Sequence, residues 1–246
     1  MGSDTIVFLG PTLPKTEART ILDALYLPPV AQGDVYNAYI KYNPKIIGII
    51  DGYFENVPSV WHKEILFVLS KGVHVLGGSS MGALRAAELH PFGMEGVGKI
   101  YEAFKNNLLE DDDEVAVYHG PAELGYPALS EAMVNIRETA WQALENNIIS
   151  QLFHEKFIEA GKALHYKNRT YHNILKELRN TDSFEAECTK MATYLKDSHI
   201  NVKWQDALEL LKKIKQMQGD TLMPKVTRFH FEETFVWLQS ISKNGN

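Results

Sequence analysis

The chain has 246 residues, enough for one large domain or two small ones with a sizeable core. It is 45% hydrophobic and 23% charged, and its 25 basic and 31 acidic side chains give a net charge of -6, which lacks the basic footprint of a dedicated nucleic-acid binder. The single cysteine, Cys188, excludes an internal disulfide, a paired-cysteine redox centre and a Cys-based zinc site, and it predicts a reduced, cytoplasmic setting.

The start, Met1-Gly2-Ser3-Asp4, has no basic stretch leading into a long apolar one, so no targeting segment is expected. No apolar run reaches the roughly 20 residues that span a bilayer, and no membrane association is expected. Short apolar runs then alternate with helical spacing. Thr5-Ile6-Val7-Phe8-Leu9 ends at Gly10-Pro11-Thr12, Lys45-Ile46-Ile47-Gly48-Ile49-Ile50 ends at Asp51-Gly52, and Gly72-Val73-His74-Val75-Leu76 ends at Gly77-Gly78-Ser79-Ser80. Such unbroken runs suit strands buried on both faces of a parallel sheet. Weaker strands are predicted over 27–31, which holds two prolines, and over 114–118, ending at His119. Helices are predicted over 16–25, 34–42, 59–70 and 81–90. From about 129 onward the apolar spacing is helical over 129–146, 149–164, 170–179, 185–196, 204–217 and 231–242, with turns at 146–147, 180–182 and 219–220. The expected fold is α/β: a mostly parallel doubly wound sheet with helices on both faces, followed by an all-helical C-terminal region. The expected division is a core domain over 1–145 and a helical region over 146–246.

In open α/β sheets, ligands bind beyond the carboxyl ends of the strands, here expected to carry Gly10, Thr12, Asp51, Ser79, Ser80 and His119. The sharpest local signal is Gly78-Ser79-Ser80-Met81-Gly82, a G-x-S-x-G pattern between a strand and a helix. In that setting Ser80 is the candidate nucleophile, and the Met81 N–H is an oxyanion donor within a turn built from Gly78 and Ser79. The alternative is a glycine-rich turn whose serines cap the helix or hold an anion. A serine nucleophile needs a base, either His62 or His119. Asp51 either orients that base or caps the next segment. Arg85 is placed to reach an anionic group, with Gly10 and Thr12 on the substrate side, whereas Glu88 is read as an ion-pair partner. The run Glu110-Asp111-Asp112-Asp113-Glu114 is read as a solvated loop and not as a metal site. No G-x-G-x-x-G or P-loop pattern is present, so no cofactor is expected.

Longer motifs carry a resemblance. Ile50-Asp51-Gly52-Tyr53-Phe54, Val60-Trp61-His62-Lys63-Glu64-Ile65, Gly78-Ser79-Ser80-Met81-Gly82-Ala83-Leu84-Arg85-Ala86-Ala87-Glu88-Leu89, Phe92-Gly93-Met94-Glu95-Gly96-Val97-Gly98 and Ala128-Leu129-Ser130-Glu131-Ala132-Met133-Val134-Asn135-Ile136-Arg137 resemble TfuA-like proteins over roughly residues 5–145. The resemblance implies a partner of the YcaO type and a part in installing thioamides in peptide backbones, by supplying sulfur or activating the partner. Joined to the G-x-S-x-G pattern, it leads to an expected serine hydrolase-like release of sulfide from a thiocarboxylated ubiquitin-like sulfur carrier. The alternatives are a non-catalytic scaffold that docks the YcaO-type enzyme or its precursor peptide, and a peptidase acting on that precursor. A lone cysteine in the helical half, far in sequence from the turn, argues that sulfur stays on its carrier until it leaves.

Overall fold

The computed structural model describes residues 4–55, 57–180, 184–219 and 221–243. Residues 1–3, and parts of the turns expected at 180–182 and 219–220, lie outside the described residues. The chain forms two compact units, Met1–Glu110 with Trp204–Asn246, and Asp111–Lys203.

In the first unit, β1 (Thr5–Phe8), β2 (Leu25–Leu27), β3 (Ile46–Ile49), β4 (His74–Gly78) and β5 (Glu95–Val97) form one all-parallel sheet in the order β2-β1-β3-β4-β5. Successive side chains alternate between its faces. Val7, Ile46 and Leu76 share one core cluster with Ala18 and Leu22 beside α1 (Lys15–Ile21) and with Leu210, Leu211 and Ile214 of α10 (Val202–Gly219). Ile6, Phe8, Ile47 and Ile49 fall on the opposite face and are fully buried. That face takes the crossover helices α2 (Asp34–Tyr42), α3 (His62–Ser70) and α4 (Met81–Leu89), as right-handed connections require. The last helix, α11 (Phe235–Lys243), is anchored by Trp237, whose buried ring meets Tyr36, Trp61, Phe67 and Phe231.

The second unit is helical: α6 (Met133–Glu145), α7 (Gln151–Ala163), α8 (Tyr171–Arg179) and α9 (Glu185–Ser198) enclose Met133, Ile136, Phe153, Phe157, Ile174, Cys188 and Met191. Cys188 is an ordinary core residue there, with its Sγ 3.8 Å from the Leu175 carbonyl and burial pushing its thiol pKa up. The expected boundary at 145/146 falls at the end of α6. The compact units divide after 110 and after 203, because α10 supplies one face of the sheet.

Two predicted strands differ. The strand expected over 27–31 lies at Leu25–Leu27, since Pro28 and Pro29 lack the N–H a ladder needs, and only Val30 returns to the sheet, through an isolated bridge to Gly52. The strand expected over 114–118 is absent. Asp112–Glu114 is a short 3-10 helix, the Val115 carbonyl accepts from Lys203 Nζ at 2.7 Å, and the Tyr118 N–H donates to Ser130 Oγ at 2.7 Å. Side chains and not a strand satisfy that backbone, so His119 does not end a sheet strand. It makes only an isolated antiparallel bridge with Ala128. The fifth strand is β5, followed by α5 (Lys99–Lys105), and neither was predicted.

The acidic run is not simply solvated. Asp111, Asp113 and Glu114 converge, and Lys162 pairs with all three. Arg169 and Arg137 complete the balance through Asp113 and Glu114. No described helix is long and apolar enough to cross a membrane.

Candidate active site

The order β2-β1-β3-β4-β5 reverses direction at β1, so the crevice between the carboxyl ends of β1 and β3 is the topological switch point. Asp51 closes that crevice. It is 1% exposed, and its Oδ2 accepts the N–H groups of Gly10 (2.9 Å) and Thr12 (3.1 Å) while its Oδ1 accepts the Thr12 hydroxyl (2.6 Å). Both carboxylate oxygens are thus engaged in holding the loop after β1. Asp51 thus holds an earlier loop, and not the segment that follows it.

One strand further, β4 runs into the turn that carries the serines. The strand and α4 pack so closely that a Cβ at Gly77 would lie 2.1 Å from the Gly82 carbonyl oxygen, and one at Gly82 would lie 1.8 Å from that of Ile49. No other residue fits these two positions, which is the physical content of the glycines flanking the turn. The Gly82 N–H then donates to the Ile50 carbonyl (3.2 Å), tying the first turn of α4 to the end of β3.

The sharp reversal falls on Ser79, with φ +70°, while Ser80 has φ -115° and ψ -124° and occupies the N-cap position of α4. Non-glycine residues in the left-handed region carry strain that surrounding structure must hold in place, and such strain concentrates at functional sites. Ser79 is fully buried and its hydroxyl has no hydrogen-bond partner among the described residues. Ser80 is 3% exposed, and its side chain makes no helix-capping hydrogen bond. Met81 is the first residue of α4, so its N–H has no intrahelical acceptor and stands at the positive end of the helix dipole. Capping of α4 by the serines is therefore not what these residues do.

The candidate bases are placed elsewhere. His62 opens α3, and its Nε2 lies 2.8 Å from Glu88 Oε2. Arg85 donates to the same Glu88 oxygen (2.7 Å) and to the Val60 carbonyl (3.1 Å). The His62 and Arg85 contacts outweigh partial burial and hold the Glu88 carboxyl below its ordinary pKa. Glu88 lies eight residues along α4 from Ser80, roughly 12 Å of helix rise. Arg85 thus buttresses His62 through Glu88 and does not present a free cation to substrate. The sequence reading of Glu88 as an ion-pair partner named no partner, and His62 comes from a different element with no local signal. His119 belongs to the second unit, where its Nδ1 meets the Gly120 carbonyl at 2.8 Å and its ring stands edge-on to Tyr126.

Glu64, the third residue of α3, is a feature that sequence reasoning missed. It is 1% exposed and accepts four N–H groups, from Trp61 of its own helix entry and from Gly33, Val35 and Tyr36 at the start of α2. One carboxylate caps two helices, and burial pushes its pKa up against the pull of those donors. A Glu three residues after a helix start was the available signal.

Gly10, Thr12 and Asp51 thus form one cluster, the turn from Gly78 to Met81 a second, and His62, Arg85 and Glu88 a third. No curated protein matches the chain. Residues 51–170 match the family model for TfuA-like proteins, a segment that begins at Asp51 and includes the serine turn. That family is associated with thioamidation-related biosynthesis, and residues 51–170 of the chain are TfuA-like.

Proposed function

We propose that the protein is an accessory enzyme of peptide-backbone thioamidation, working with a YcaO-type partner and releasing sulfide from the C-terminal thiocarboxylate of a ubiquitin-like sulfur carrier. The observation that carries this reading is the strand–turn–helix at Gly78–Gly82: a strained Ser79, a buried Ser80 at the N-cap and an N-terminal N–H free of any intrahelical acceptor. In the proposed step Ser80 Oγ attacks the thioacyl carbon, a C–O bond forms, the C–S bond breaks and the Ser80 proton leaves with the sulfur as hydrosulfide. Water then hydrolyses the seryl ester, returning the carrier carboxylate and the free serine and releasing one proton to solvent. The Met81 N–H is the proposed donor to the tetrahedral oxyanion, a role in which loss of one donor typically costs about 3 kcal/mol of transition-state stabilisation. The thiocarboxylate is already an anion, so proton balance needs no group left charged at the end of the step. His62→Gln and His119→Gln, made singly, test by their loss of rate whether either histidine takes part in moving that proton.

The test is sulfide release from a thiocarboxylated carrier by wild type and Ser80→Ala. The proposal expects the variant to fall at least about a hundredfold, and equal release by both would sink it. A second reading, a scaffold that docks the YcaO-type enzyme or its precursor peptide, is favoured by the commitments of Asp51 to backbone N–H groups and of His62 to Glu88. It expects Ser80→Ala to support thioamide formation at the wild-type level.

A further inference from the structure

After α10, residues 221–234 form no helix or strand, and they strap the amino-terminal ends of β4 and β5. Hydrogen bonds hold the strap in place. The Lys225 N–H donates to the Gly72 carbonyl (2.8 Å), the Lys225 ammonium donates to Glu95 Oε1 (2.7 Å), and His74 Nε2 lies 2.8 Å from the Met223 carbonyl. Pro224 packs so close that a Cβ at Gly72, where φ is +86°, would lie 3.0 Å from it. A carbonyl only accepts, so His74 Nε2 carries a proton, and in the neutral ring Nδ1 is a bare lone pair. That Nδ1 is buried, has no hydrogen-bond partner among the described residues and lies 3.9 Å from Glu95 Oε1. The neutral ring is thus held by one nitrogen, while the other sets an acceptor beside an acceptor. A proton from solvent on Nδ1 turns that contact into an ion pair. Lys225 shares Glu95, but a carboxylate accepts at both oxygens and can serve two donors. Of the other charged groups lining the cavity beside His74, Lys45 pairs with Asp4 and Lys71 lies over the Phe67 ring.

We propose that His74 is a pH-sensitive clamp on this strap: protonated at Nδ1 it bridges the Met223 carbonyl and Glu95, and neutral it holds the strap by one bond. The strapped form offers this proton a partner and the released form does not. Strap stability is therefore highest at low pH and falls as pH rises through the range in which histidine titrates. The strap leads to Phe231, whose ring meets Phe67, and to Trp237, whose ring meets Trp61, one residue before His62. The clamp sets how firmly the C-terminal segment covers α3 as pH changes. The inference goes beyond the sulfide-release reading and does not depend on it.

The reporter is hydrogen exchange at the Lys225 amide, followed by NMR on the full chain at about pH 5.5 and about pH 7.5 and corrected for the intrinsic rate. Wild type should be about fivefold better protected at the lower pH. His74→Gln, which can still donate to the Met223 carbonyl, should lose that difference, and so should Glu95→Gln. Asp206 titrates in the same range but is intact in His74→Gln, so any dependence it causes persists in that variant. Equal protection of wild type at both pH values, better protection at the higher pH, or an undiminished difference in His74→Gln would each overturn the proposal. Where a variant fails to fold, the titration of the His74 ring in wild type must coincide with the change at Lys225, and a mismatch overturns it too. Equal sulfide release by Ser80→Ala would defeat the chemistry without touching the clamp.

Discussion

In the sheet unit, Asp51, Glu64 and Asp206 are each no more than 2% exposed, and each carboxylate accepts backbone N–H groups, Asp206 from Lys99 and Ile100 at the start of α5. In the helical unit buried Glu114 pairs with the side chains of Arg137 and Lys162, and the buried charges that serve the backbone are the cations Arg169 and Lys203. Arg169, 1% exposed, donates to the carbonyls of Gly161, Leu164 and Asp113 and to the Asp113 carboxylate, and Lys203 donates to the Val115 carbonyl. The contrast follows from which helix ends each unit buries. The loops above a parallel sheet collect helix N-termini, whose orphan N–H groups call for acids. The helical unit tucks in the C-terminal end of α7, whose orphan carbonyls call for a base.

The largest expected effect lies on the cationic side. Arg169→Met removes four hydrogen bonds and leaves Asp113 and three carbonyls short of a donor, and chemical denaturation should show a loss of about 4 kcal/mol. A loss below about 1 kcal/mol would mean that α7 does not depend on this cap. On the acidic side, Glu64→Gln keeps the shape but turns an acceptor toward donors, at an expected cost of about 2 kcal/mol. Finding both variants near neutral would break the comparison.

Asp206 sharpens it through pH. Burial lifts its pKa from 3.8 to about 6, only partly opposed by the Lys99 and Ile100 N–H groups. The folded protein thus holds this proton more tightly than the unfolded chain. The group contributes most to stability below about pH 4, and that contribution is lost as pH rises toward about 6, at up to about 1.4 kcal/mol per pH unit. Asp206→Asn should flatten that part of the stability–pH profile relative to wild type, and an identical slope in both proteins would contradict the assignment.

The strands β1, β3 and β4 were legible because each is a continuous apolar run closed by glycine, proline or aspartate, and α2 because its spacing is clean. The edge strand β5 was not, because Glu95-Gly96-Val97 is short and half-buried and carries no apolar run. The false strand at 114–118 had strand composition, but its backbone is satisfied by Lys203 and Ser130, which lie far along the chain. At the site, the turn and its flanking glycines were visible in one pentapeptide, whereas the Asp51 and His62 partners depend on pairings across 26 to 41 residues that no local pattern encodes. The strain at Ser79 likewise needed backbone angles.

The account turns on a covalent bond at Ser80. Mixing the protein with a thiocarboxylated carrier and recording intact masses at early times tests this most directly. The account predicts an adduct of protein plus carrier less one hydrogen sulfide, mapping to Ser80 and absent from Ser80→Ala. No adduct on the wild type, together with unchanged sulfide release by Ser80→Ala, would contradict it.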